Sequence, residues 1–331
     1  MGMLPKTLVC DENLLDKDLF GKTYIVTGAN SGIGQATSKQ LVKQGAHVIM
    51  ACRNTNEGKR VKKRFEKLNY KGSAKVLKLD LADLNSVRDF AEIFLSDYKK
   101  LDGLINNAGI MMCPKSYTKD GFEMQFGVNH LGHFLLTELL MDILKKSAPS
   151  RIIILSSSAH DSLPGLVKFA DIDLKDPHFK DRKYDKAAAY CQSKFANFLH
   201  AKSLARRLEG TGVTAISVHP GMVKTNLSRH MMPQWLQNTV GHLIFKIIGV
   251  INPEDGAQTS LHTLLDENIP DHAGEYYSQT SMYRDNECNE GGWPMKSPNP
   301  KADDRNLEDG LWALSCSEVG ISESKLLKKG A

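Results

Sequence analysis

Short apolar runs alternate with longer segments of helical period between residues 22 and 280, and nothing else constrains the fold of this chain so strongly. Residues 22–26, 46–51, 74–79, 103–105, 151–155 and 213–218 read as strands rich in apolar side chains, with helical patterns between them. A strand buried on both faces needs helices above and below it, and strands separated by helices run parallel. The pattern predicts an α/β fold: a doubly wound parallel sheet with helices on both faces, in a single domain over 20–281. Residues 1–19 read as an N-terminal extension. Beyond residue 282 the alternation decays into a proline-punctuated loop and a helix-like piece over 307–317. That region, 282–331, reads as a C-terminal extension packed on the domain or partly mobile.

In such a sheet, ligands bind beyond the carboxyl ends of the strands, where the topology reverses. Thr27-Gly28-Ala29-Asn30-Ser31-Gly32-Ile33-Gly34 stands at the first of these ends, before a helix expected over 33–44. Glycines let the chain turn sharply and let its backbone approach a pyrophosphate, which the helix N-terminus stabilises. In this context Gly-x3-Gly-x-Gly marks a Rossmann-type dinucleotide site, and the lack of Gly-Lys-Ser/Thr argues against a P-loop. At the end of the second strand an acid would bind the ribose 2′-hydroxyl, and a base a 2′-phosphate. Ala51-Cys52-Arg53-Asn54 supplies no acid and one guanidinium fork. The expected cofactor is therefore NADP(H), with Arg53 on the phosphate.

Of nine tyrosines, Tyr190 alone has a lysine four residues downstream, Lys194. Side chains at that spacing share a helix face and can reach one pocket. A neighbouring ammonium is expected to draw the phenol below its ordinary pKa of about 10, so that Tyr190 donates a proton in reduction and accepts one in oxidation. A phosphate-binding turn and a proton donor are the minimum equipment for moving a hydride to or from a carbonyl. His130 and His133 lie three apart without a third ligand cluster, which reads as helix packing or surface exposure, with no metal. His219, at a strand end, reads as a core histidine with local hydrogen bonds. Met231, Met232, Pro233 and Trp235, with the apolar run 243–251, read equally as a lid over a lipophilic substrate or as a core helix.

Composition narrows the partners. With 43 basic and 38 acidic residues, the net charge of +5 is too small and dispersed to argue for nucleic-acid binding. Six cysteines lie far apart with no CxxC pair, as reduced thiols in an intracellular protein do. The N-terminus lacks a signal-peptide core, and the run 243–251 is far short of the roughly 20 residues that span a bilayer. A protein that is not secreted is expected, either cytoplasmic or peripherally associated with the endoplasmic reticulum.

Thr27–Gly34, Asp80, Asn106-Asn107-Ala108-Gly109, Asn129, Ser157, Tyr190-x3-Lys194 and Pro220-Gly221 occur in the order seen in short-chain dehydrogenases/reductases. Over residues 20–280 the chain resembles that superfamily. Residues 51–54, 128–134, 189–194 and 218–221, with Leu311-Trp312 in the tail, resemble its retinol-dehydrogenase branch more narrowly. The resemblance implies a catalytic set of Asn129, Ser157, Tyr190 and Lys194, with Ser157 and Tyr190 on the substrate oxygen. It implies that Gly28, Asn30, Ser31, Gly32, Ile33 and Gly34 cradle the pyrophosphate. Asp80 and Leu81 would lie near the adenine, and Asn107, Ala108 and Gly109 beside the ribose. Pro220, Gly221, Val223 and Thr225 would line the nicotinamide. Lys194 would hold the nicotinamide ribose, and Asn129 a water linking Lys194 to solvent.

The implied function is an NADP(H)-dependent oxidoreductase that interconverts an apolar, retinoid-like alcohol and its aldehyde or ketone. The same chemistry on a steroid or fatty aldehyde is one alternative. A non-catalytic NADP(H)-binding redox sensor is another, disfavoured by the intact proton-transfer set. The resemblance also suggests a homodimer through helices at 120–145 and 186–208, and peripheral membrane contact. The hydrophobic anchor that begins many family members is missing. The stretch between Ser157 and Tyr190 is longer than usual and brings the charged residues 168–185 to the substrate side.

Overall fold

A computed structural model describes residues 7–224, 250–279 and 292–322. Seven strands, β1 (Thr23–Thr27), β2 (His47–Cys52), β3 (Ser73–Lys78), β4 (Gly103–Asn106), β5 (Ser150–Leu155), β6 (Val213–His219) and β7 (Tyr276–Ser278), form one sheet. All neighbours are parallel, in the order β3-β2-β1-β4-β5-β6-β7. The six strands expected from sequence are present, each within one residue at either end. The seventh, β7, is three residues long, too short for any periodicity to announce it. The order reverses between β1 and β4, so a crevice opens at the carboxyl ends of these two strands.

The helices are α1 (Glu12–Asp16), α2 (Gly32–Lys43), α3 (Thr55–Glu66), α4 (Leu84–Asp97), α5 (Met124–Phe126), α6 (Gly132–Lys146), α7 (Lys186–Arg207), α8 (Pro253–Leu265) and α9 (Arg305–Val319). Successive strand residues point to opposite faces, which splits the core into two layers. Ile25, Leu104 and Ile152 pack with Phe134, Leu140 and Phe195 on one face. Val26, Ile105 and Ile153 pack with Leu41, Val42 and Leu261 on the other. Helix starts follow the sequence closely: Asn54, Asp83, Asp185, Asn252 and Asp304 each accept a backbone N–H of the first turn of α3, α4, α7, α8 and α9. Ser31 precedes α2 without making a side-chain cap.

The C-terminal helix α9 lies on α7 and α6. Trp312 meets Phe134 edge-on at 5.1 Å, with the Arg207 guanidinium 4.1 Å from its ring. Arg206 pairs with Glu308 and Asp309, and Arg88 donates to the Val319 carbonyl at 2.6 Å. The helices expected to form a homodimer are thus covered by this chain's own α9 on the faces it touches, and those faces are closed to a second copy. Among the described residues, no helix is long and apolar enough to cross a membrane.

Trp312 is 3% exposed, so Trp312→Ala should lower stability by about 3–5 kcal/mol. Urea unfolding would show a lower midpoint with an unchanged slope; an unchanged midpoint would mean that α9 is not part of the cooperative unit.

Candidate active site

The crevice is built first by glycines. Gly28 has φ +68°, and a Cβ on it would sit 3.0 Å from Ala108 Cα. A Cβ on Gly34 would sit 2.4 Å from Asn107 Nδ2 and 2.7 Å from the Gly28 carbonyl oxygen. No side chain fits at Gly34, because the loop after β4 lies directly against the turn after β1. Thr27 bonds the two together: its Oγ1 accepts the N–H groups of Asn107 and Ala108, both at 2.9 Å, and its carbonyl accepts Asn107 Nδ2–H at 2.7 Å. Asn30, Ser31, Gly32 and Ile33 form a half-buried turn leading into α2. With no side-chain cap on α2, its first N–H groups can serve an anion.

Arg53 is exposed at the end of β2. Its carbonyl accepts Lys78 Nζ at 2.8 Å, which brings a second cation to the same corner. Lys78 lies opposite Cys52 in the β2–β3 register, information that a linear motif does not carry. Asp80 shapes the turn after β3, with its Oδ1 accepting Ala82 N–H at 3.1 Å. Leu81 is buried beneath the start of α6, where a Cβ on Gly132 would meet its carbonyl oxygen at 2.6 Å. On the other side of the crevice, Gly221 (φ +84°) packs on Ile251, and Val223 bridges to Ile251. A Cβ on Gly256 would meet Val223 Cγ2 at 2.5 Å and Ile33 Cγ1 at 3.3 Å, so the segment after Pro220 closes toward the start of α2. Thr225, residues 231–235 and 243–249 lie outside the described residues.

The chemical groups converge at the end of β5. Ser157 caps a short 3₁₀ turn, Ser158–His160, and hydrogen-bonds the Tyr190 phenol. Burial pushes Tyr190 up to about 12, and the Ser157 hydrogen bond acts the other way. Lys194 Nζ donates to the Leu155 carbonyl at 3.0 Å, and burial lowers its pKa to about 8. The expectation that Lys194 would draw the phenol down is corrected here. The ammonium lies 5.9 Å from the centre of the Tyr190 ring and is engaged elsewhere, so desolvation decides the phenol's pKa. Gly109 makes room for this lysine, since a Cβ there would lie 3.7 Å from Nζ and 3.4 Å from Asn129 Oδ1.

Asn129 sits in a π-helical turn, Gly127–Leu131, a widening common at functional sites. Its Oδ1 accepts Ile110 N–H at 2.9 Å, and its Nδ2 donates to the Ile110 carbonyl at 3.0 Å and Ser193 Oγ at 2.9 Å. Both amide hydrogens are spent on bracing α7 against the loop after β4. Ser156 Oγ adds a bond to the Lys194 carbonyl at 2.7 Å. Sequence reading passed over Ser156 and Ser193, although each adjoins a motif residue.

His130 and His133 are buried, in line with the helix-packing alternative, and they serve separate partners: Ser315 Oγ at 2.8 Å and Thr27 Oγ1 at 2.9 Å. His219 is buried, but neither ring nitrogen has a hydrogen-bond partner among the described residues, so the expected local bonds are not there. Burial lowers its pKa to about 3. The charges of 168–185 are turned largely on the protein itself. Asp176 accepts the N–H groups of Lys180, Asp181 and Arg182, while Arg182 stacks on Phe179 and reaches Gln192 Oε1 on α7 at 2.7 Å. His160 Nδ1 donates to the Ser157 carbonyl at 2.6 Å, and its Nε2 meets Ser297 Oγ at 2.7 Å. Asn299 Nδ2 donates to the carbonyls of His160 and Ala170, both at 2.9 Å. The C-terminal segment therefore braces the loop that carries Ser157.

The sequence pattern of the short chain dehydrogenase family matches residues 22–168. Retinol dehydrogenase 13 of Homo sapiens is 44% identical over 306 residues, covering 91% of this chain and 85% of that protein. Retinol dehydrogenase 11 of Mus musculus is 46% identical over 314 residues, covering 95% and 90%. Among solved structures, an uncharacterized protein of Mycobacterium paratuberculosis superposes with a TM-score of 0.69 at 32% identity, covering 92% of this chain and 96% of that one. The chain belongs to the short-chain dehydrogenases/reductases, a family of oxidoreductases acting on alcohols and carbonyls. Within it the chain falls in the retinol-dehydrogenase-like branch.

Lys194 loses its proton at about pH 8 in the folded chain and near 10.5 when unfolded. Below pH 8 the fold therefore carries the full cost of a buried ammonium, and that cost disappears as the pH rises to 10.5. Lys194→Met should be more stable than the parent at pH 7 while losing at least about a hundredfold in turnover. The stability gap should close between pH 8 and 10.5. A gap independent of pH would show that the lysine is not strained by burial.

Proposed function

We propose that this protein is an NADP(H)-dependent reductase of apolar aldehydes or ketones, retinoid-like in shape, working reversibly on the matching alcohols. The convergence of Tyr190, Ser157 and Lys194 beside Gly109, at the mouth of the β1–β4 crevice, carries the proposal. The crevice suits a dinucleotide because Gly28 and Gly34 leave room for backbone alone and α2 opens onto them uncapped. When bound, a nicotinamide dinucleotide supplies or takes up the hydride. The Gly28–Gly34 turn would hold its pyrophosphate, and Lys194 its nicotinamide ribose.

The protein's own groups supply the proton chemistry. A phenol raised to about 12 is fully protonated at neutral pH, so Tyr190 is set to donate to a carbonyl oxygen. Ser157 Oγ would donate a hydrogen bond to that oxygen as charge develops on it. Lys194, charged below about pH 8, keeps a positive charge beside the same centre. The preset state favours reduction; oxidation requires the phenolate, which burial disfavours and the Ser157 hydrogen bond favours.

The direct test is NADPH consumption with all-trans-retinal, a medium-chain aldehyde and a steroid ketone. Tyr190→Phe should lower turnover by about 10²–10⁴-fold on whichever substrate is used. Near-normal turnover in that variant would remove Tyr190 from the chemistry, and activity on the other carbonyls alone would discard the retinoid assignment. Arg53 and Lys78 support NADP(H) over NAD(H). Arg53→Ala should weaken NADPH by about 10–100-fold, the worth of a charge-assisted contact, and leave NADH unchanged. An unaltered preference would refute that role.

A further inference from the structure

We propose that His133 is a positioning residue, held as one uncharged tautomer, that fixes the cofactor floor against the helix carrying the proton-transfer groups. This rests on the crevice being a dinucleotide site, as proposed above.

The hydrogen-bond inventory around Thr27 compels the tautomer. A threonine hydroxyl has two acceptor lone pairs and one hydrogen. The lone pairs of Thr27 Oγ1 are taken by the N–H groups of Asn107 and Ala108, both at 2.9 Å. Its hydrogen has two candidate acceptors, His133 Nε2 at 2.9 Å and the Ile105 carbonyl at 3.4 Å. The shorter contact takes it, so Nε2 must be unprotonated. His133 Nδ1 faces the Asn129 carbonyl at 3.0 Å, and a carbonyl only accepts, so Nδ1 carries the proton. Each end of the ring thus has a single role. A doubly protonated ring would point an N–H at a hydroxyl with no lone pair left, and burial keeps that form away at neutral pH.

The consequence is mechanical. Thr27 and the Asn107–Ala108 backbone are the floor of the crevice, and the approach at Gly28 and Gly34 leaves no slack there. Asn129 braces Ile110 and, through Ser193, the helix turn that carries Lys194. Among the described residues, His133 bonds to both sets, to Thr27 Oγ1 and to the Asn129 carbonyl, with 1% of its surface exposed. Without it the Thr27 hydroxyl swings to the long Ile105 contact, and the floor at Thr27 loses its side-chain tie to the turn that carries Asn129.

Two near-isosteric replacements divide the ring. His133→Asn keeps a donor for the Asn129 carbonyl but no longer reaches Thr27. His133→Gln reaches Thr27 and gives up Asn129. Affinity for NADPH, read by its fluorescence on binding and so independent of turnover, should fall about tenfold in His133→Asn and stay within about threefold in His133→Gln; tenfold is about 1.4 kcal/mol. In Thr27→Val, which removes the same contact from the other side, adding His133→Asn should cost nothing more. Thr27→Ser keeps the hydroxyl and should bind as the parent does.

Equal affinities in the two His133 variants, or losses that multiply with Thr27→Val, would overturn the proposal, since a generally loosened core would behave in that way. Should the His133 variants not fold, nitrogen NMR of histidine-labelled parent protein decides. A resonance pair for an Nδ1–H, Nε2-unprotonated ring, unchanged from pH 5 to 8, is expected at His133, and the opposite tautomer would end the proposal. If the parent binds no NADPH, the reading of the crevice fails, while the NMR test of the tautomer still stands.

Discussion

The turn after β1 and the loop after β4 approach each other more closely than side chains permit, and the candidate site is assembled around that approach. With no side chain at Gly28 and Gly34, Asn107 and Ala108 pack directly on the turn and leave no room for adjustment, and three bonds from Thr27 to Asn107 and Ala108 lock it. Because the sheet order reverses at the same place, the locked floor is also where a crevice must open. Uncapped helix N–H groups, an exposed guanidinium at the end of β2 and a buried lysine at the end of β5 are then brought to one groove by the parallel register alone. The chemistry is a property of strand ends.

Burial sets the polarity of that groove. Tyr190 and Lys194 are both nearly inaccessible, and desolvation acts on each toward its neutral form, raising the phenol and lowering the ammonium. Neither shift helps the fold. A lysine in such a place is tolerated because the Leu155 carbonyl accepts its hydrogen bond and Gly109 leaves it space. On the proposed reading, the stability forgone there is the counterpart of having a proton donor and a cation ready before any substrate arrives.

Much of this was legible in the chain. Strand positions followed from apolar runs, the turn after β1 from glycine spacing, and the Tyr190–Lys194 pair from its single occurrence, since each is a local pattern. What was not legible depends on register and three-dimensional neighbours. Lys78 comes to Arg53 only through the β2–β3 pairing, and β7 is too short to show a period. The π turn at Asn129 has no composition of its own. His133 read as a packing residue because its partner, Thr27, lies 106 positions away. The direction of the Tyr190 shift was misjudged because a spacing of four residues places two side chains on one face without saying which group each will bond.

The bracing of Ser157 by the C-terminal segment reaches across much of the chain. Ser297 and Asn299 hold His160, and His160 holds the Ser157 carbonyl, so the strand-end geometry is completed by residues translated long after Tyr190 and Lys194. The end of β5 is therefore sensitive to a segment 137 residues further along the chain, so a change at 297–299 would be felt at Ser157 without touching Tyr190 or Lys194.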